Sequence, residues 1–137
     1  MTSLLEGGFN ISELSETIKS DNWKTEKHVP SIEVQEQKNT DDIFEVRVAV
    51  GQEIQHPNTT EHYIPWIKLF FLADEGAFPV EIDSFQFSSP SSADNDAVVS
   101  SPSLTTRVSI EKSGTLMALS YCNLHGLWQN EHRIELN

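Results

Sequence analysis

The sequence predicts an all-β fold, an antiparallel sandwich with a short N-terminal helix. Two observations carry this reading. Apolar residues recur with a period of two over six or seven short stretches, and turn-forming residues separate those stretches. The chain has 137 residues, one domain's worth when domains cluster near ~100–150 residues, so residues 1–137 are expected to form a single unit. Taken in order, Asn10-Ile11-Ser12-Glu13 has the spacing of a capping box, and Ile11, Leu14 and Ile18 fall at helical intervals. That spacing predicts a helix over 11–19. Ile32 and Val34 then alternate with polar neighbours, and Phe44, Val46, Val48 and Val50 alternate with Glu45, Arg47 and Ala49. Ile64–Leu72 is apolar on both faces, as a central or interface strand is. Val80–Phe87, Leu104–Glu111, Thr115–Tyr121 and Leu127–Leu136 complete the set, with Ser113-Gly114 expected as a hairpin turn between two of them. Residues 88–103 hold seven serines with Pro90 and Pro102. So little apolar surface cannot offset its own ordering entropy, and the stretch reads as a surface loop.

Composition narrows function. Nine Lys and Arg against 21 Asp and Glu leave a net charge of −12, which disfavours phosphate backbones and anionic membranes. A single cysteine, Cys122, excludes an internal disulfide framework and any cluster that needs several thiolates from one chain. No stretch of about 18 apolar residues occurs, and the N-terminus lacks the basic and apolar regions of an export signal. A cytoplasmic protein without membrane or nucleic-acid partners is expected.

Chemistry concentrates in three irregular segments. Four of the five histidines lie in Glu26-Lys27-His28-Val29-Pro30, in His56-Pro57-Asn58-Thr59-Thr60-Glu61-His62, and in Cys122-Asn123-Leu124-His125-Gly126. Loops on a rigid sandwich display binding groups. The Cys-x-x-His spacing lets one turn offer both thiolate and imidazole to a metal, a donor set suited to iron, copper or zinc rather than magnesium or calcium. His132 falls in the terminal strand pattern and reads as an exposed strand residue. A blue-copper electron-transfer protein of the cupredoxin kind also ends in a cysteine followed closely by histidine. It wants two histidines and a methionine soon afterwards, whereas Met1 and Met117 both precede Cys122. A structural zinc site closes on four ligands, and five candidates suit it poorly.

These three segments, with the strand Ile64–Leu69, the lead-in Ser-Glu-Thr-Ile-Lys ending at Trp23, and the run Tyr121-Cys122-Asn123-Leu124-His125-Gly126-Leu127-Trp128, resemble superoxide reductase, and within it the single-iron group called neelaredoxins. The resemblance runs from about Ile18 to the C-terminus. It implies an immunoglobulin-like sandwich of about seven strands. It also implies one iron per chain, cycling between Fe2+ and Fe3+, with His28, His56, His62 and His125 around a square and Cys122 on the axis below. The opposite position is left for superoxide. Lys27 is implied as the cation that attracts the anionic substrate and orders water for its protonation. Glu26 is implied as the sixth ligand in the oxidised state only. The product is hydrogen peroxide, the electron comes from an external donor such as rubredoxin, and relatives assemble as tetramers or dimers. Ferrous iron with one thiolate carries a local charge of about +1, which, with Lys27, opposes the −12 of the chain because distant charges are screened beyond ~8–10 Å. Family members with a second iron carry an additional four-cysteine module, for which this chain has no cysteines.

Overall fold

The period-two stretches pair into two antiparallel sheets. A computed structural model describes residues 3–5, 9–11, 13–36, 41–88, 90, 97–98 and 100–136. A hairpin of β1 (Ser3–Leu5) and β2 (Phe9–Ile11) precedes a one-turn helix, α1 (Leu14–Thr17). Then come β3 (Ser31–Val34), β4 (Phe44–Ala49), β5 (Trp66–Ala73), β6 (Val80–Gln86), β7 (Ser103–Val108), β8 (Gly114–Cys122) and β9 (Gly126–Ile134). One sheet has the order β3-β4-β7 and the other β6-β5-β8-β9. This three-plus-four division is the immunoglobulin-like plan.

The two inner faces meet in one core. Phe44, Val46 and Val48 of β4 pack against Ile67 and Leu69 of β5 and Leu116 and Ala118 of β8, all essentially inaccessible. Fully burying each of the large side chains stabilises the fold by ~1.5–3 kcal/mol. The two-sided strand is central, lying between β6 and β8. Ile67 and Leu69 fill the core, while Trp66, Phe70 and Leu72 are half-buried on the outer face. β8 alternates buried and half-buried along its whole length and ends with Cys122 on the core side. The lone thiol is therefore the last residue of the inner face.

Two expectations need correction. The helix spans 14–17 rather than 11–19, because Ile11 pairs with Ser3 in the hairpin. Its first turn is closed instead by the Glu13 N–H donating to Glu16 Oε2 at 3.2 Å. Leu14 is 67% exposed and no residue of α1 is buried, so nothing apolar holds a longer helix in place. Ser113-Gly114 is not a hairpin turn either: β7 pairs with β4 and β8 with β5 and β9, so residues 109–113 cross from one sheet to the other. Gly114 is required by close approach, since a Cβ there would stand 2.3 Å from the Leu72 carbonyl oxygen. Of the serine-rich stretch, residues 89, 91–96 and 99 lie outside the described residues.

Candidate metal centre

Each histidine is delivered by a local device. Asn22 opens a turn that accepts the N–H groups of Thr25 and Glu26 at 3.0 and 2.9 Å. The following residues are pinned to the four-stranded sheet, where Ser120 Oγ donates to the His28 carbonyl (3.3 Å) and Asn130 Nδ2 to that of Pro30 (2.9 Å). The second segment folds on itself: the N–H groups of Thr59 and His62 donate to each other's carbonyls at 3.0 and 3.1 Å. Cys122 and His125 come together because β8 and β9 are joined by a three-residue turn in which Cys122 pairs with Gly126. Gly126, the first residue of β9, has φ +87°, a left-handed conformation that glycine adopts without strain where the chain turns back into the strand.

Two side chains that sequence reasoning passed over bind these segments together. Asn123 joins the cysteine turn to the second segment three times. Its N–H donates to Tyr63 O (3.2 Å), its Oδ1 accepts from the Tyr63 N–H (3.0 Å) and its Nδ2 donates to Glu61 O (3.1 Å). Asn58, 1% exposed, donates through Nδ2 to Ser100 O at 2.8 Å, tying the same segment to the chain just before β7. The only available signal was the general readiness of asparagine to bond backbone groups in irregular chain.

The four imidazoles form a ring. Neighbouring centroids are 4.8 Å apart for His28 and His56, 4.6 Å for His56 and His62, 4.9 Å for His62 and His125, and 4.7 Å for His125 and His28. The diagonal from His28 to His62 is longer, 6.2 Å. A square requires that difference, whereas a tetrahedron makes all separations equal. Cys122 Sγ lies 3.5 Å from both His56 Nε2 and His125 Nδ1. The His28 Nε2 to His125 Nδ1 separation is 3.1 Å. Bonds of ~2.1 Å meeting at right angles would set neighbouring nitrogens ~3.0 Å apart.

Hydrogen bonding selects which nitrogen faces inward. Pro57 O, which can only accept, lies 2.6 Å from His56 Nδ1, so that nitrogen carries the proton and Nε2 is left bare toward the sulfur. Glu26 Oε1 sits 2.6 Å from His28 Nδ1 and does the same for that ring. His62 Nε2 is buried with no hydrogen-bond partner, an arrangement that costs free energy unless a ligand bond completes it. His28, His62, Cys122 and His125 present donor atoms all within 4.8 Å of one another, and His56 joins them through its contact with the sulfur. Four converging imidazoles and a buried thiol fit a transition metal such as iron.

Burial sets protonation and orientation. It pushes the ionisation of His56 down to about 4 and lowers His28 and His62 as well, keeping these rings neutral and able to ligate. Burial alone would raise the Glu26 carboxyl, but hydrogen bonds from the His28 N–H and ring, with the charge of Lys27, outweigh it and hold it below the usual range. Half-buried Lys27, next to His28 in the chain, adds a smaller contribution that also disfavours protonation of these three rings. Cys122 is fully buried, His62 half-exposed and His125 exposed, so the sulfur forms the floor and two rings reach the surface. Trp128 lies flat on His28, with centroids 4.8 Å apart and planes 13° apart. His132 stands exposed on β9, as expected. Met117 lies five residues before Cys122 on the other face of β8, so it cannot serve as the axial ligand of a blue-copper site.

The desulfoferrodoxin family model matches residues 20–131. A superoxide reductase of Thermococcus kodakarensis is 46% identical over 122 residues, covering 89% of this chain and 99% of that protein. The neelaredoxin of Megalodesulfovibrio gigas is 40% identical, covering 83% and 91%. The solved structure of the superoxide reductase (neelaredoxin) of Archaeoglobus fulgidus in the reduced form superposes with a TM-score of 0.76 at 42% identity, over 88% of this chain and 99% of that one. The square of imidazoles over a buried thiol thus stands in a chain that belongs to the desulfoferrodoxin family, among its superoxide reductases and neelaredoxins.

Proposed function

We infer that the protein is a superoxide reductase that converts superoxide to hydrogen peroxide, O2•− + e− + 2H+ → H2O2, at one iron per chain. The observation that carries this reading is the ring of four imidazoles above the Cys122 sulfur, together with the orphaned Nε2 of His62. His28, His56, His62, His125 and Cys122 are the proposed ligands. Iron held by these five donors supplies a one-electron ferrous–ferric couple with one coordination position left over.

The chain's own residues do the rest. Lys27 draws the anion toward the centre and orders the water that delivers the two protons. Glu26 orients His28 through Nδ1; to serve as the sixth ligand of an oxidised iron its carboxylate would have to leave that bond, because Nδ1 lies on the side of the ring away from the other donors. The buried Cys122 thiolate would donate electron density to a bound iron, as cysteine does in some haem enzymes. The electron is returned by an external donor, a small electron-transfer protein of the rubredoxin kind. A dimer or tetramer is part of the proposal, supported by the half-buried Trp66, Phe70 and Leu72 on the outer face of β5. So is a cytoplasmic setting, where a lone thiol stays reduced. No helix among the described residues is long and apolar enough to cross a membrane.

The test is pulse-generated superoxide mixed with the reduced, iron-assayed protein. One hydrogen peroxide per superoxide consumed, without oxygen release, supports the reading. Release of oxygen at half that stoichiometry marks a dismutase, and absence of second-order decay above the spontaneous rate removes the activity.

A further inference from the structure

We propose that Lys19 is a positioning residue of the metal centre, acting on two neighbouring ligands through Trp128 and the His125 carbonyl. The proposal rests on the iron site inferred above. Lys19 is distant in sequence from every candidate ligand except Glu26 and His28, yet its backbone is spliced onto β9. Its N–H donates to Leu127 O and its carbonyl accepts from the Gln129 N–H, both at 2.9 Å, in a parallel bridge to Trp128. From that fixed position the ammonium makes two contacts. Nζ donates to His125 O at 3.3 Å and lies 5.2 Å from the centroid of the Trp128 ring.

Trp128 is 8% exposed and stacks on His28. One cation therefore touches the residue that carries one ligand and the indole that lies flat against the next. Those two ligands are adjacent in the ring, with Nε2 and Nδ1 3.1 Å apart. No carboxylate pairs with Lys19 among the described residues, in a chain with 21 acidic residues. Its partners are a carbonyl and a π-face, and both belong to the centre.

Two effects follow. A cation held over the indole face fixes the plane of Trp128, and the stacked indole fixes the plane of His28. The bond to His125 O holds the cysteine–histidine turn against the edge of the sheet. Electrostatically, a positive charge close to the centre favours the less positive, reduced state of a bound iron.

The experiment uses the full-length chain and its Lys19→Met, Lys19→Gln, Lys19→Arg and Trp128→Phe variants. Cobalt(II) affinity is measured by chelator competition on the metal-free protein, the midpoint potential on the iron form, and near-UV circular dichroism on both. Lys19→Met is expected to bind cobalt(II) about tenfold more weakly, the loss usual for residues that orient ligands. Its potential should fall, and it should lose the near-UV band that Trp128→Phe removes. Lys19→Arg should restore all three properties, since it keeps the charge and the donor. Combining Lys19→Met with Trp128→Phe should cost less than the sum of the two. Lys19→Gln keeps a donor without the charge, so it serves if the methionine variant does not fold; wild-type potential and near-UV band in whichever variant folds overturn the proposal. A wild-type chain that takes up no metal overturns the iron site and this proposal together, whereas normal wild-type uptake with indifferent Lys19 variants overturns this proposal alone.

Discussion

The Glu26 carboxylate closes back on His28, two residues ahead of it. Its Oε1 accepts from the His28 N–H at 2.9 Å and lies 2.6 Å from Nδ1 of the same ring. One oxygen thus fixes both the backbone and the ring of His28, turning Nε2 toward the other donors. Carboxylate-to-histidine bonds of this kind orient metal ligands and raise their basicity. Glu26→Ala is expected to weaken metal retention about tenfold and to alter the ferric absorption spectrum while sparing the first reduction of superoxide. Chelator competition and pulse kinetics on the same preparation check both halves.

Cys122→Ser should abolish the blue thiolate-to-iron charge-transfer band of the oxidised protein. Metal analysis is needed beside the spectrum, since a copper–thiolate site is also blue. The wild-type chain should hold close to one iron; a blue wild-type protein with stoichiometric copper would contradict the assignment.

Lys27→Ile should slow the second-order reaction with superoxide about tenfold at low ionic strength and flatten its dependence on salt. Substitution of Lys68, which is ion-paired with Glu81, serves as the control for net charge alone. Equal effects at the two sites would take the steering role away from Lys27.

The metal-free protein should lose stability on mild acidification. His28, His56 and His62 ionise below the ordinary range when folded, His56 at about 4, but near ~6.5 when unfolded. Between those values the unfolded chain binds more protons, so stability rises with pH and is fully present above about 7. The depressed Glu26 carboxyl adds a further loss at lower pH. Urea midpoints at pH 7.5, 6 and 5 should fall in that order.

Asn123→Ala removes two side-chain bonds between the cysteine turn and residues 61–63. It should destabilise the chain by ~1–3 kcal/mol, the range for leaving partly buried backbone groups unpaired, and weaken metal binding at the same time. Denaturant titration with and without cobalt(II) separates the two effects.

Much of the fold was legible because burial imposes a period on strands. Phe44 to Val50, Val80 to Phe87 and Leu127 to Leu136 announce themselves by alternation, and β5 by apolar residues on both faces of a central strand. The helix was overdrawn because Ile11, Leu14 and Ile18 satisfy a spacing that no core contact enforces. Gly114 was misread because a glycine needed for close packing looks in sequence like one needed for a turn. Of the candidate site, the histidines and the cysteine that converge were readable from residue type and segment. Lys19, Asn58, Asn123 and Trp128 were not, because their roles lie in contacts with chain distant in sequence or in backbone bonds that any polar residue could make.

The sequence by itself determined the donor chemistry and the strand periodicity, since both are properties of residue type and local spacing. Only the tertiary structure decided which nitrogen of His28 and His56 faces inward, how the rings are ordered around the square, and that an indole and an ammonium back one side of it. Those choices depend on partners brought together by two sheets folding face to face, and no local pattern along the chain encodes which surfaces will meet.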